Sequence, residues 1–440
     1  MRITVIGAGY LGTTHAACMA QIGHDVLAVE VDRDKVAKLR SGEVPFFEPH
    51  LEDTVRDGLE SGRLRFSDDY EEAAVFADVH FLAVGTPQNK QDSSADVSHV
   101  DAAIDSLCRR LTRPALVVGK STVPVGTAQR LAERARNIAP VGDAVELAWN
   151  PEFLREGLAV RDTLHPDRVV VGVEDRKDAR AADVLQQLYA PVLNEGKTPY
   201  VITSLATAEL VKAAANAFLA TKISFINAIA DLCDAASADV GQLADAIGYD
   251  ERIGRRFLNA GLGFGGGCLP KDIRALIARA DELGVGRSFD FLREVDGINM
   301  RQRSRVVAIA REECGSLAGK RVGILGLAFK PNTDDIRDSP ALDVAAEMRL
   351  EGAEVALYDP VAMDNSRKAF PMFNYALSAT DACTDVDVVL VLTEWDEFRR
   401  MQPHDVAAVT RAKRVIDARN CLDAATWRAA GWTYRGFGRS

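Results

Sequence analysis

The stretch with the densest chemistry is Gly261-Leu262-Gly263-Phe264-Gly265-Gly266-Gly267-Cys268-Leu269-Pro270-Lys271-Asp272, where five glycines crowd one thiol. Pro270 opens an amphipathic pattern through Ile273, Leu276, Ile277 and Ala280, which Gly284 can close as a helix cap. Cys268 is therefore expected just before a helix N-terminus. Free backbone N–H groups and the helix dipole there should favour the nucleophilic thiolate. Glycines let a substrate approach the backbone and leave the sulfur unshielded. A flexible turn around an inert, buried cysteine is the competing reading.

A nucleophile needs elements to hold its reactants. Ile3–Ile6 reads as a strand that runs into Gly7-Ala8-Gly9-Tyr10-Leu11-Gly12, and a helical pattern then extends to Ile22. The next strand, Val26–Val29, ends in Glu30, the offset expected of a ribose-binding acid. Strand, glycine turn, helix and acid together read as a dinucleotide site. Glu30 would repel a 2′-phosphate, which favours NAD, although Arg33 and Lys35 nearby leave NADP open. Further strands lead into Gly85-Thr86-Pro87, Ser121-Thr122-Val123-Pro124 and Asn150-Pro151-Glu152. Thr122, Glu152 and Glu156 thus fall at carboxyl ends of one sheet, where ligands bind in open parallel sheets.

From about Ser204 to Ala236 a helical pattern runs without Gly or Pro. Lys212 and Asn216, spaced i, i+4 among small and apolar neighbours, should share a face that points into a pocket. Such a long helix suggests a bridge between domains and a flank for a second subunit. A second glycine turn, Val322-Gly323-Ile324-Leu325-Gly326-Leu327-Ala328-Phe329-Lys330-Pro331, is followed by Gly352–Asp359, which repeats the pattern of Gly23–Glu30. Aligned with the first turn, Ala328 and Pro331 replace Gly9 and Gly12, so this copy should bind a different nucleotide. Lys330 and Arg337 are candidate phosphate or carboxylate partners.

Composition sets bounds. At 440 residues the chain exceeds one ordinary core, and its 47% hydrophobic content is that of a globular protein. A net charge of -11 argues against nonspecific binding to nucleic acid or anionic membrane. The N-terminus lacks a signal-peptide pattern, and no apolar run is expected to reach the length of a membrane span. Seven scattered cysteines without C-x-x-C spacing argue against a disulfide framework or metal site and suit a reducing cytoplasm.

In these motifs the chain resembles the UDP-glucose 6-dehydrogenase family within the wider nucleotide-sugar dehydrogenases. The match covers nearly the whole length, through Gly7–Gly12, Ser121–Thr127, Asn150–Gly157, the Lys212–Asn216 helix, the Cys268 loop and Ala328–Lys330. Phe257-Leu258-Asn259-Ala260-Gly261 looks more like the UDP-glucose branch than the GDP-mannose branch. The resemblance implies an α/β protein with two Rossmann-like, doubly wound parallel-sheet domains joined by a long central helix. Residues 1–200 would bind NAD, 201–300 would carry dimerisation and the catalytic loop, and 301–440 would bind the nucleotide sugar. It implies a four-electron oxidation of a C6 alcohol, most simply UDP-glucose to UDP-glucuronate, through a thiohemiacetal and a thioester on Cys268. Lys212 and Asn216 would stabilise oxyanions, Asp272 and Thr122 would hold a water, and Glu152 would assist proton transfer.

By the same resemblance, cofactor contacts fall on Gly7, Gly9, Tyr10, Leu11, Gly12, Glu30, Lys35, Thr86, Thr122, Glu156, Lys271 and Arg337. Substrate contacts fall on Glu152, Phe153, Leu154, Lys212, Asn216, Arg252, Phe257, Asn259, Phe264, Gly265, Lys330 and Arg419, with Arg252 reaching a neighbouring subunit's site in a homodimer. Glu30 stands where Asp is usual, Gly267 where Ser is frequent and Leu158 where a small polar residue is commoner. Substrate choice stays open among UDP-glucose, TDP-glucose, UDP-N-acetylmannosamine and GDP-mannose. A one-step NAD alcohol dehydrogenase and a noncatalytic NAD-binding regulator are the readings from other classes.

Overall fold

The computed structural model describes all residues except 90, 176–179, 195–197 and 440. The chain divides into two compact units, Met1–Ala215 with Arg274–Gly284, and Asn216–Ile273 with Val285–Ser440.

In the first unit, β1 (Arg2–Ile6), β2 (Asp25–Val29), β3 (Leu64–Ser67), β4 (Val79–Leu82), β5 (Ala115–Gly119), β6 (Val145–Trp149), β7 (Val169–Val173) and β8 (Tyr200–Ser204) form one sheet. Its order is β3-β2-β1-β4-β5-β6-β7-β8. Helices cover both faces, so β1 and β2 are buried at every position but the first and read as continuous apolar runs. Two apolar cores lie on opposite sides, one around Val5, Met19 and Phe81 and the other around Ile6, Leu82 and Trp149. A wholly parallel sheet was expected, and the last two strands depart from it. β7 runs antiparallel to β6, and β8 is parallel to β7.

In the second unit, β9 (Arg321–Leu325), β10 (Glu354–Tyr358), β11 (Asn374–Tyr375), β12 (Val388–Val391), β13 (Arg414–Asp417) and β14 (Thr433–Arg435) form an all-parallel sheet. Its order, β11-β10-β9-β12-β13-β14, repeats that of the first six strands. The repeat extends to the turn. Gly7 N donates to Val29 O at 2.7 Å and Gly326 N to Tyr358 O at 2.8 Å. The expected alignment fails beyond Ala328, because the following helix starts only at Pro340. Pro331 lies in a long loop and has no counterpart of Gly12's role.

The long helix, Leu205–Ala236, has 32 residues and spans about 48 Å. Contrary to the expectation from its sequence, it is long and apolar enough to cross a membrane by length and composition alone. Two of its buried polar side chains are nevertheless bonded to protein: Ser224 Oγ donates to Val295 O at 2.8 Å, and Asn227 Oδ1 accepts from Gly261 N at 2.8 Å. That is how a core helix of a globular protein keeps polar groups.

Candidate active site

The dinucleotide turn meets the physical demands of its ligand. Gly7 adopts φ +94°, a left-handed conformation that suits glycine. A Cβ on Gly12 would run into Gly7 O, so the first helical turn packs directly on the strand end. Gly9, by contrast, faces open space. The Tyr10–Gln21 helix begins there with no side chain on its first amides and no acid in its first turn. Open space, bare N–H groups and dipole suit a pyrophosphate. Glu30 Oε2 accepts from Ala8 N at 3.2 Å, which fixes the carboxylate beside the turn, where an adenosine ribose would hydrogen-bond. These residues fit NAD. Lys35, expected on the cofactor, instead pairs with Glu30 Oε2 at 3.1 Å. The Tyr10 hydroxyl, also expected there, donates to Glu48, and Leu11 lines a small pocket behind the turn.

Glu48 was not foreseen. Its carboxylate is buried and accepts from Gly157 N at 2.6 Å and Ala159 N at 2.7 Å, so it ties the Asn150–Gly157 loop to the dinucleotide helix. Burial, with Glu48's charge and hydrogen bond, pushes the Tyr10 phenol far up, so it stays a neutral donor. On the same loop, Glu152 pairs with Lys212 Nζ at 2.8 Å and its other oxygen accepts from Leu154 N at 2.7 Å. Both charged groups are largely buried. A buried pair of this kind is costly to desolvate and is held in one geometry. Phe153 lies beneath the Arg168 guanidinium, 3.8 Å from its ring centroid. Thr86 Oγ1 donates to Thr122 O at 2.8 Å, and Thr86 and Glu156 are buried.

The Ser121–Thr127 loop is held from the long helix by Glu209, also unforeseen. Its carboxylate accepts from Gly126 N at 2.8 Å and Ala128 N at 2.6 Å, which caps the Thr127–Ile138 helix from another element. Burial outweighs these bonds and the nearby Arg279 and pushes Glu209 up to about 7. The signal for it was its place one turn before Lys212.

In the second unit Cys268 immediately precedes the Leu269–Glu282 helix, and its carbonyl accepts Asp272 N at 2.9 Å. Of the seven cysteines it is the exposed one; Cys18, Cys108, Cys233 and Cys383 are buried, and Cys314 and Cys421 are half-buried. Burial pushes Cys18, Cys108 and Cys383 up to about 12. One turn on from Cys268, Asp272 is buried and accepts from Asn216 Nδ2 at 2.6 Å. Lys271, expected on the cofactor, pairs with the other Asp272 oxygen at 2.8 Å.

The glycines around the thiol serve protein packing more than substrate approach. A Cβ on Gly263 would strike Asn299, one on Gly265 the Asp338 carbonyl, and one on Gly267 the Arg337 guanidinium. Gly266 has φ +86° and lies under the Phe329 ring. Asn299, wholly buried, exchanges two hydrogen bonds with the Phe264 backbone at 2.8 and 2.9 Å. Arg337, expected on the cofactor, is bidentate to Asp335, and its guanidinium lies where a side chain on Gly267 would begin.

Other substrate candidates have protein partners. Arg419 is held by Gly263 O at 2.7 Å, Leu392 O at 2.8 Å and Glu394 at 3.4 Å. Arg252 is exposed and paired with Asp250 at 2.6 Å, and Asn259 accepts from Arg255 at 2.8 Å. Lys330 Nζ sits 5.4 Å from the Phe329 ring centroid. Phe257 has φ +66°, a strained backbone for a bulky residue and a mark of a constrained site.

Comparison with known proteins matches three stretches of the chain. Residues 1–193 match the NAD binding domain of the UDP-glucose/GDP-mannose dehydrogenase family, 206–301 its central domain and 323–424 its UDP binding domain. A UDP-glucose 6-dehydrogenase of Rhizobium meliloti is 42% identical over 441 residues, with both chains fully covered. The structure of a UDP-glucose dehydrogenase from Pyrobaculum islandicum superposes with a TM-score of 0.91 at 38% identity, covering 100% of this chain and 98% of that one. A UDP-D-ManNAc dehydrogenase from Pyrococcus horikoshii gives 0.85 at 27% identity, covering 100% and 99%. With two Rossmann-like sheets, a glycine turn shaped for NAD and a UDP binding domain, the chain belongs to the UDP-glucose/GDP-mannose dehydrogenase family.

Proposed function

We propose that this chain oxidises UDP-glucose at C6 to UDP-glucuronate with two NAD, through covalent intermediates on Cys268. The carrying observation is the exposed Cys268 at a helix N-terminus, one turn from an Asp272 fixed by Asn216 and Lys271. The first hydride transfer makes an aldehyde, which the thiolate captures as a thiohemiacetal. A second hydride transfer leaves a thioester, and water hydrolyses it to the carboxylate. Together the steps consume one water and release three protons. Lys212 and Asn216, one turn apart on the long helix, stabilise the oxyanions. Thr122 and Asp272 hold the water, and Glu152 takes its proton.

The other candidates keep the ligand roles assigned above, with Tyr10, Lys35, Lys271, Arg337 and Arg419 acting through the partners that hold them. The substrate follows the full-length relatives named UDP-glucose 6-dehydrogenase; the Pyrococcus horikoshii structure keeps UDP-N-acetylmannosamine as the second reading. The chain works as a homodimer. Phe218, Phe225 and Leu232 are exposed and recur every seventh residue on the long helix, an apolar stripe suited to an isologous helix pair. Free thiols and soluble substrates suit the cytoplasm.

Limiting UDP-glucose with excess NAD should yield two NADH and one carboxylate per sugar. One NADH and an aldehyde trapped by a hydrazine would overturn the covalent reading. Two NADH from UDP-N-acetylmannosamine alone would change the substrate and keep the mechanism. Cys268→Ser should retain NAD binding and lose steady turnover, and iodoacetamide should label Cys268 first among the seven cysteines.

A further inference from the structure

A pocket of about 60 Å³ lies behind the Asn150–Leu154 loop in the first unit, with Lys120, His15, Glu152 and Tyr189 in its wall. Lys120 directly follows β5, is buried, and reaches Asn150 Oδ1 at 2.9 Å and the Tyr189 hydroxyl at 3.4 Å. Its Nζ lies 5.9 Å from the ring centroids of Phe81 and Tyr189. All these partners are neutral, and among the described residues no carboxylate is paired with it. A buried ammonium held this way is expensive to maintain and is seldom retained for stability. Asn150 Oδ1 also has Tyr189 as a donor at 2.7 Å, so the lysine is not required to satisfy it.

We propose that Lys120 is a positioning residue for Glu152: across the pocket they share, it takes up the proton that Glu152 acquires in the reaction and passes it to solvent. This rests on the reading above, in which Glu152 receives a proton. The pocket has room for about two waters. His15, almost wholly buried, has its Nε2 without a hydrogen-bond partner, a ready anchor for one of them. Each transfer balances: protonated Glu152 and the neutral amine become carboxylate and ammonium, and the ammonium then protonates water or buffer.

Several other charged and titratable groups face the pocket. Burial, then the charge of Lys120, holds His15 well below the usual imidazole value, and burial keeps Tyr189 a phenol. Asp162 is bonded to Arg155, Arg168 is stacked on Phe153, Asp167 lines the mouth, and Lys212 is paired with Glu152. Burial pushes Lys120 down to about 8, opposed by the charge of Glu152.

The relay needs the amine neutral, so kcat should rise as pH rises through about 8. Lys120→Met should abolish that limb and lower kcat about 10-fold or more, while NAD affinity and melting temperature are maintained. Lys120→Gln, whose amide still reaches Asn150, should behave alike if the methionine variant folds poorly. A wild type with no kinetic group between about pH 7 and 9, or either variant keeping the limb, overturns the relay. If the wild type still gives two NADH per sugar in that case, the reaction reading stands. One NADH and a trapped aldehyde would instead remove that reading, and the relay with it.

Discussion

The two sheets put the same hydrogen bond to different use. After β1 the Ala8 amide donates to Glu30, and after β9 the Leu327 and Ala328 amides donate to Asp359 at 2.8 and 3.0 Å. Glu30 is a half-buried residue at the rim. Asp359 is 1% exposed and also accepts from Val361 N, Ala362 N and Trp395 Nε1 at 2.9, 2.8 and 3.1 Å. Glu30 likewise accepts from Val31 N, Asp32 N and Lys35 Nζ at 2.9, 3.2 and 3.1 Å, but its side chain stays partly open to a ligand, whereas Asp359 is enclosed by its own fold. A residue's place in a Rossmann-like unit therefore does not assign its role; its exposure does.

The sharpest way to break this contrast is to fill the space that the first turn requires. Gly12→Val should weaken NAD at least about 100-fold by calorimetry and leave UDP affinity within about 2-fold, since the side chain must displace Gly7. Equal loss of both ligands would show that the variant unfolds broadly. Next, Asp359→Ala should cost about 3 kcal/mol or more in urea unfolding, because several buried donors are orphaned, and leave NAD affinity unchanged.

Glu209 tests whether a buried carboxylate of the first unit carries a pH signature. Its folded value, about 7, lies above its ordinary 4.5, so its stabilising effect is full below 4.5 and lost as pH rises through 7. The stability of the wild type relative to Glu209→Gln should fall by about 2 kcal/mol between pH 4.5 and 8, measured by paired urea titrations. A flat difference would sink this account. The smallest effect is expected at Glu30→Gln, which should weaken NAD about 10-fold with little change in melting temperature. A large fall in melting temperature would make Glu30 a keystone like Asp359 and erase the contrast.

What the sequence displayed follows from the range of the forces involved. Strand, glycine turn and helix are local patterns, so β1, β2, the Tyr10–Gln21 helix and the long helix could be read directly. Cys268 before its helix, and Lys212 and Asn216 one turn apart, are local too. β3, β11 and β14 escaped because each is short, and β7 and β8, as long as β1, because no glycine turn follows them; all five gain their stability from neighbours distant in sequence. Glu48, Glu209 and Asn299 escaped for a related reason: each acts on backbone amides far along the chain, and, apart from Glu209's place one turn before Lys212, nothing around them marks a buried acceptor. The glycines were visible while their purpose was not, since only the fold shows that Asn299, Phe329 and Arg337 press against them.

The reversal between β6 and β7 decides where the long helix can deliver its side chains. Had β7 and β8 continued parallel, β8 would end at the same sheet edge as Gly7, Thr122 and Glu152, and the next helix would start there and head away. With two strands inverted, β8 ends at the far edge, and the helix must travel back. Seven residues of travel, about 10 Å, bring Lys212 within 2.8 Å of Glu152. A parity rule thus operates in the topology: the direction of the last strand sets whether a return helix approaches the ligand edge or leaves it, and one inversion places a lysine there without any lengthened loop.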